Sequence, residues 1–449
     1  MIYLQIAIPI CICFTVVGYF TEKRIKINPL SLFCALWAII LFFSSLEEYT
    51  MYRASDEINF MILIGIIAYI IGYYFNKIFL QKIHFCFGKY SHYRSDILYN
   101  AIPRYQFLYA LCIISILYTL YTFLNTIRQS GTFNLGIIQS MLQSGDIVSS
   151  NGPLLNAIAL LVIAPFKFVI PAITAVDFWF GRRDKKLLYM TIALITINML
   201  SSANRTSFLL FFVWLLVATI IYLYHIRQEN RKKYDNYFNG RIISKIRKYQ
   251  KYIVIVAIVA FVLMSVSRGV SSFVRQFYLY FSMSPRMFEI WAEKVEQNNI
   301  YGYGVASMLG FIYPLFYVIK NLLGIEMPQL VQSMYDWTMQ PEYTWVYPGR
   351  NIYANAYVSV FWNLYVDGRI IGIIIGMLVL GIIASRSFSN IIAKTYSARQ
   401  IAVYCCVFYV ILFSFVRFQF TLSRIALAFI FVMFFVYKFE PKETGVIKI

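Results

Sequence analysis

Several arginines stand in polar stretches of this chain with no acidic residue close by. In the turn "SSANRTS" the nearest acids to Arg205 are Asp184 before it and Glu229 after it. In "SVSRGVSSFVRQFYLYF" Arg268 and Arg275 are seven residues apart, which is two helical turns and predicts one shared face. A guanidinium group is a planar fork of donors that binds phosphate or carboxylate oxygens, so these arginines are candidate anion ligands.

Two further arginines extend this set. Arg286 follows Pro285, which predicts the start of a new helix. Arg369 lies in "NLYVDGRIIGIIIGMLVLGII", where a polar, aromatic stretch leads into an apolar run punctuated by glycine. The spacing of Gly372 and Gly376 predicts that a neighbouring helix approaches closely there.

Three carboxylates are candidate general bases near these arginines: Asp367, then Glu289 and Glu342. A carboxylate that accepts a proton from an attacking hydroxyl would complete an anion site for group transfer. The spacing of the seven cysteines and three histidines fits neither a zinc site nor a disulfide framework. The sequence therefore predicts no metal and no cofactor.

Long apolar runs separate these polar stretches. The chain of 449 residues is 60% hydrophobic and 13% charged, whereas soluble domains are about 45–50% apolar and about 25% charged. Several runs reach the roughly 20 residues that a helix needs to cross a bilayer, where backbone amides find partners only within the helix. We predict an all-α polytopic integral membrane protein with about 11 transmembrane helices. The predicted spans are 2–20, 29–46, 58–76, 105–126, 154–180, 187–203, 206–224, 252–268, 369–385, 400–416 and 420–437.

These spans divide the chain into three predicted parts. Residues 1–268 carry helices one to eight, 269–368 form a large loop with amphipathic or re-entrant helices, and 369–449 carry the last three helices and a short tail. The apolar run 303–324 is a possible twelfth span. If it crosses, residues 353–385 must form a tight helical hairpin, and we prefer the count of eleven.

The lysine and arginine counts of the connections predict orientation. One side carries 27 of the 40 basic residues and the other 12, with Lys167 inside a span. The positive-inside rule then places the N-terminus outside and the C-terminus inside. The 12 outer residues are ten arginines and two lysines, while the 27 inner ones are 16 lysines and 11 arginines. An outer face so rich in arginine favours an anionic ligand there, although arginines anchoring helix ends are an alternative.

The net charge of +20 has a simple interpretation for a membrane protein. Positive charge on the cytoplasmic side accounts for it through the same topology rule, so we predict no nucleic-acid partner. All three histidines fall on the predicted inner side, and no glycine-rich nucleotide loop is evident. A reaction on the outer side must therefore use an already activated substrate, and a lipid diphosphate is one.

The arrangement resembles the Wzy-type O-antigen polymerases, also called oligosaccharide repeat-unit polymerases. The matching stretches are "SSANRTS", "SRGVSSFVRQFYLYFSMSPRMFEIW", "YGYGVASMLGFIYPLF" and "NIYANAYVSVFWNLYVDGRIIGIIIGMLVLGI". The resemblance implies a multi-pass protein of the bacterial inner membrane. It would transfer a growing glycan from undecaprenyl diphosphate to the next lipid-linked repeat unit on the periplasmic face. Membrane lipids and a polysaccharide chain-length regulator would be its other partners.

Resemblance and residues together predict an inverting, metal-independent glycosyltransferase. Its expected diphosphate ligands are Arg205, Arg268, Arg275, Arg286 and Arg369. Two alternatives remain. An O-antigen ligase would share the arginines and the donor, but related ligases also use an outer histidine, which this chain lacks. A lipid-linked oligosaccharide flippase would be a transporter, for which internal repeats are expected.

Overall fold

The computed structural model describes residues 2–22, 25, 28–80, 99–132, 138, 141, 152–202, 206–230, 270–393 and 396–441. The first elements are α1 (Ile2–Thr21), α2 (Pro29–Leu46), α3 (Asp56–Phe75), β1 (Tyr99–Pro103), α4 (Tyr105–Ser130), α5 (Pro153–Ile158), α6 (Ala164–Phe180), α7 (Lys185–Ser202) and α8 (Thr206–Asn230). The later ones are α9 (Val270–Ser282), α10 (Ser284–Gln297), α11 (Val305–Leu323), α12 (Gln329–Tyr343), β2 (Val346–Gly349), β3 (Ile352–Ala354), α13 (Ser359–Ile392), α14 (Ala398–Leu412), α15 (Ser423–Phe434) and β4 (Tyr437–Pro441). Short π-helical segments extend α3 and join α5 to α6.

The predicted fold class is confirmed. Within the described residues, eight helices have the length and hydropathy to cross a membrane, and α14 and α15 are shorter apolar helices. The two sheets have only two strands each. The protein is an all-α polytopic membrane protein. Predicted span 252–268 lies outside the described residues, and α11 is one of the eight, so the predicted number of crossings stays a prediction.

Contacts divide the chain into two compact units. The first contains the described parts of Met1–Ser91, Leu263–Ala393 and Cys406–Ala426, and the second those of His92–Val262, Lys394–Cys405 and Leu427–Ile449. These units reflect packing, whereas the predicted divisions 1–268, 269–368 and 369–449 follow membrane topology.

In the second unit, polar contacts tie apolar helices together. Thr174 and Thr191 share a hydrogen bond of 2.8 Å between α6 and α7. The buried Asp177 accepts hydrogen bonds from Tyr105 Oη at 2.5 Å and from the backbone N of Asp184 at 3.0 Å. β1 and β4 pair antiparallel.

In the first unit, α3 and α13 pack closely because glycines face the partner backbone. A Cβ on Gly72 would lie 2.1 Å from the Leu378 carbonyl oxygen, and one on Gly381 would lie 2.2 Å from that of Tyr69. Small residues allow helices in lipid to approach to this distance, where dispersion contacts hold them together.

The chain reverses direction inside α13. Gly368 and Arg369 have non-helical backbone angles, and a Cβ on Gly372 would lie 2.2 Å from the Leu364 carbonyl oxygen. A Cβ on Gly376 would likewise lie 2.3 Å from Leu364 Cδ2. The helix that approaches these glycines is therefore the first part of α13 itself. This fold-back is a tight helical hairpin within 353–385, the feature that a crossing 303–324 segment requires.

Between α14 and α15 the chain runs as a loop, residues 413–422, with one 3₁₀ turn at Gln419–Thr421, and every residue of the loop is buried or half-buried. The loop is anchored to the middle of α2, because Trp37 Nε1 donates to Ser414 Oγ at 3.1 Å and Trp37 is midway along that 18-residue helix. The contact therefore lies about 13 Å from either helix end. Irregular backbone at such depth is stable only where protein covers it or where it lines a wet cavity.

A β-hairpin, β2–β3, follows α12. Its turn is held where α2 ends and α3 begins: Tyr52 N donates to Pro348 O at 3.0 Å, and Arg350 N donates to Thr50 O at 2.9 Å. Its other end returns to α12, where Asn355 Nδ2 donates to Glu342 O at 2.6 Å. The hairpin therefore runs between the end of α12 and this end of the helix bundle.

Candidate functional site

Asp367 caps a helix. Its Oδ1 accepts hydrogen bonds from the backbone N of Gly304 at 2.9 Å and Ala306 at 2.8 Å, and Oδ2 accepts one from Ser307 N at 2.9 Å. These are donors that the first turn of α11 leaves without helical partners. A buried carboxylate whose oxygens are both occupied is poorly placed to receive a substrate proton. The geometry gives Asp367 a structural role at the start of α11, and its role as first candidate base stays a prediction.

Both carboxylate oxygens of Glu289 also have partners. Oε1 accepts a hydrogen bond from Ser55 N at 3.0 Å, and Oε2 pairs with Arg286 Nη1. The side chain is buried. This pair joins the start of α10 to the start of α3, so its geometry is that of a packing contact.

Glu342 has a different environment. Oε1 forms an ion pair of 3.0 Å with Arg417 Nη1, and the Glu342 side chain is 34% exposed while that of Arg417 is 3% exposed. Arg417 Nη2 is buried without a hydrogen-bond partner among the described residues. A buried donor without a partner costs about 1–3 kcal/mol, which an incoming acceptor would recover.

The backbone on both sides of Arg417 is fixed by the first part of α13. Ser359 N donates to Val416 O at 3.2 Å, and Asn363 Oδ1 accepts from Phe418 N at 3.0 Å. The buried loop and the buried half of the α13 hairpin therefore position this guanidinium together. Glu342 reaches it from the last turn of α12.

The charges around Arg417 are unbalanced. The Glu342 carboxylate favours the charge of the Arg417 guanidinium, whereas the neighbouring Arg424 opposes it. Tyr343 and Tyr409 also interact with it electrostatically. The buried Arg417 and the exposed Arg424 together outweigh the single charge of Glu342, and this net positive charge attracts an anion.

Arg369 forms a separate cluster. Its guanidinium carbon lies 4.3 Å from the centre of the Tyr301 ring and 5.1 Å from that of Tyr365, and Nη2 donates to Val295 O at 3.4 Å. Nη1 is buried with no partner among the described residues. The backbone of Arg369 is in the left-handed region, at φ 55°. The Arg369 guanidinium is therefore held mainly by cation–π contacts with these two rings.

Among the described residues, the structure does not bring the predicted arginines together. Arg205 and Arg268 lie outside the described residues, and Arg275 is exposed on α9. Arg286 is near the start of α10, while Arg369 contacts its end. Their roles as diphosphate ligands stay predictions. Sequence reasoning placed Arg417 only among the outer basic residues, because nothing in the chain pairs it with the distant Glu342.

No family model, curated protein or solved structure matches the chain. Within the described ranges, no group of three or more His, Cys, Asp or Glu side chains is placed to hold a metal ion. A functional assignment therefore depends on the geometry of the residues themselves.

Proposed function

We propose that the chain is an oligosaccharide repeat-unit polymerase of the bacterial inner membrane, with its N-terminus periplasmic and its C-terminus cytoplasmic. It moves a growing glycan from undecaprenyl diphosphate to the next lipid-linked unit at the periplasmic surface. A chain-length regulator is its proposed protein partner. The proposal also places the end of the bundle where α2 ends and α3 begins on the periplasmic side.

The observation that carries this proposal is the Glu342–Arg417 pair. An acceptor oxygen of a diphosphate would satisfy the unpaired Nη2 of Arg417, and Arg424 would add a second positive charge. The negative charge on the diphosphate grows as its bond to the sugar breaks. A preorganised guanidinium therefore stabilises the transition state more than the ground state.

Glu342 is the proposed general base. The acceptor hydroxyl oxygen attacks the anomeric carbon from the face opposite the diphosphate, its proton passes to the carboxylate, and the electrons of the broken bond leave with the diphosphate. Configuration at the anomeric carbon inverts.

A flippase is the second candidate, because discontinuous apolar helices around a buried charge are also found in transporters. α14 and α15 with their buried connection have that form. A ligase would use the same donor and would differ in its acceptor. These functions predict different products in cells that lack the gene.

The first test is a deletion strain whose lipopolysaccharide is separated on a gel. Loss of a polymerase leaves cores carrying one repeat unit and no ladder, whereas loss of a ligase or flippase leaves bare core. Flippase loss further traps the lipid-linked glycan on the cytoplasmic side.

Complementation then tests the site. Arg417→Ala should give no ladder, and Arg417→Lys should restore it only partly, because lysine lacks the bidentate fork. Arg128→Ala, which removes an exposed arginine from the last turn of α4, is the matched control and should give a full ladder. A full ladder from Arg417→Ala at normal protein levels would exclude the proposed role.

A further inference from the structure

Next to Glu342, the β2–β3 hairpin carries a row of exposed aromatic rings. Trp345 is 41% exposed, Tyr347 64% and Tyr353 56%. The Trp345 and Tyr353 rings stack with centroids 5.1 Å apart, and Tyr347 lies 4.9 Å from Tyr353. We call these three residues the aromatic ridge. Adjacent Tyr343 is 74% exposed and interacts electrostatically with Arg417.

Alternation along β3 produces the ridge. Ile352 and Ala354 are buried against the first unit, so Tyr353 between them faces outward. The hairpin is fastened at both ends: Gly349 bridges to Met51, and Ala356 N donates to Pro341 O at 2.6 Å. The rings are therefore presented on a fixed support, and little conformational entropy is lost when a ligand binds them.

The position of the ridge identifies its ligand class. The Glu342–Arg417 pair lies beside a loop that contacts the middle of α2, whereas the hairpin turn is at the end of that helix. The ridge therefore extends from the Glu342–Arg417 pair toward the end of α2, where the hairpin turn is held. A polymer that leaves a recessed transfer site must pass such a surface. The apolar C–H faces of pyranose rings pack on aromatic faces, whose electron density attracts the polarised C–H groups.

Tryptophan and tyrosine also anchor proteins at membrane interfaces, so the composition of the ridge does not by itself select the ligand. Its position does. Asn355, one residue after β3, bonds to Glu342 O, so the ridge adjoins the proposed transfer site. Its rings contact one another on a support whose turn carries the polar, exposed Arg350 and Asn351. The position of the ridge beside the transfer site therefore favours a saccharide as the ligand over lipid.

We propose that the aromatic ridge of Trp345, Tyr347 and Tyr353 binds successive sugar rings of the glycan beside the transfer site. This inference rests on the proposed polymerase function and adds to it a binding surface for the glycan, separate from the contacts to the diphosphate. The ridge would retain the chain between additions, so its removal should shorten the product more than it slows the first transfer.

The test uses the full-length protein in detergent micelles and, as probe, the polysaccharide released by mild acid from the lipopolysaccharide of the source strain. The double variant Trp345→Ala/Tyr353→Ala should bind the probe about tenfold more weakly, a change of about 1.4 kcal/mol, because two of the three rings that pack on the sugars are removed. Trp345→Phe should keep most of the affinity. Tyr189→Ala, at an exposed tyrosine of α7, is the matched control and should bind as the parent does.

Two further measurements, complementation of the deletion strain and fluorescence quenching in lipid nanodiscs, complete the test. In the deletion strain, the double variant should give a ladder with a shorter modal length. Unchanged affinity and an unchanged ladder would overturn the proposed glycan binding by the ridge while leaving the polymerase proposal intact. A ladder that survives Arg417→Ala would instead contradict the polymerase site. Strong quenching of Trp345 fluorescence by brominated lipid in nanodiscs, absent from Trp345→Phe, would identify the ridge as a membrane anchor and also overturn the proposal.

Discussion

Asp367 and Glu342 are carboxylates of the same packed unit with opposite surroundings. The oxygens of Asp367 accept three backbone N–H groups at the start of α11, and the side chain is buried. Glu342 has one ion pair, and a third of its side chain is exposed. The fully bonded carboxylate stabilises a chain reversal, and the open one remains able to bind a ligand or take up a proton.

Two ion pairs of this unit differ in exposure, although each arginine keeps one buried nitrogen without a hydrogen-bond partner among the described residues, Nε of Arg286 and Nη2 of Arg417. Glu289, the partner of Arg286, has a side chain that is 9% exposed and also accepts from a backbone N–H. Glu342, the partner of Arg417, has a side chain that is 34% exposed. Removing either partner of a buried pair is costly, so the Glu342–Arg417 contact alone is weak grounds for function. The exposure of the Glu342 carboxylate distinguishes this pair from the Arg286–Glu289 pair.

The largest effect is expected from Glu342→Gln, which keeps the shape of the side chain but removes the base. Loss of a general base should slow transfer about 10²–10⁴-fold. The measurement is glycan transfer per folded molecule with a purified lipid-linked substrate. Glu326→Gln, an exposed glutamate between α11 and α12, is the matched control and should act as the parent does. Parental rates in Glu342→Gln would remove the distinction between the two carboxylates.

Asp367→Asn should have the opposite profile. An asparagine oxygen can still accept from Gly304 and Ala306, but its NH₂ group would face the N–H of Ser307. Leaving that buried donor unpaired should cost about 1–3 kcal/mol of stability. Thermal unfolding in detergent should therefore shift downward, while transfer per folded molecule stays near the parental value. A large loss of transfer at parental stability would restore Asp367 as a base.

These contrasts explain what the sequence could and could not predict. Apolar runs of about 20 residues predict spanning helices, because the bilayer leaves few other structures possible. The sequence also selects Glu342 as one of three candidate carboxylates, but it ranks Asp367 ahead of it. Asp367 caps a helix that starts near Gly304, and Arg417 meets Glu342 from a distant loop. Both contacts depend on the hairpin in α13, which the sequence offered only as an alternative.

The hairpin itself can be tested at Gly372. A methyl group there would meet the Leu364 carbonyl, which as backbone cannot rotate away. Overpacking of this kind costs about 1–3 kcal/mol. Gly372→Ala should lower the unfolding temperature, and it should slow transfer as well, because the first part of α13 positions Arg417. Gly152→Ala is the control, since a Cβ at that position would have no atom of the described residues within 4 Å. Equal stability of both variants would argue against the fold-back.

The smallest effect is expected from Arg369→Lys. Lysine keeps the charge but loses the planar stacking on Tyr301 and Tyr365, a loss of about 0.5–1 kcal/mol at a partly exposed site. Transfer should be nearly unchanged, because this guanidinium belongs to the Asp367 end of the hairpin and not to the Glu342 site. A loss as large as that of Arg417→Lys would place Arg369 among the diphosphate ligands, as its sequence predicts. Asp367 and Glu342 would then lie on opposite sides of one substrate site. Asp367 would support the backbone of that site, and Glu342 would act on the substrate.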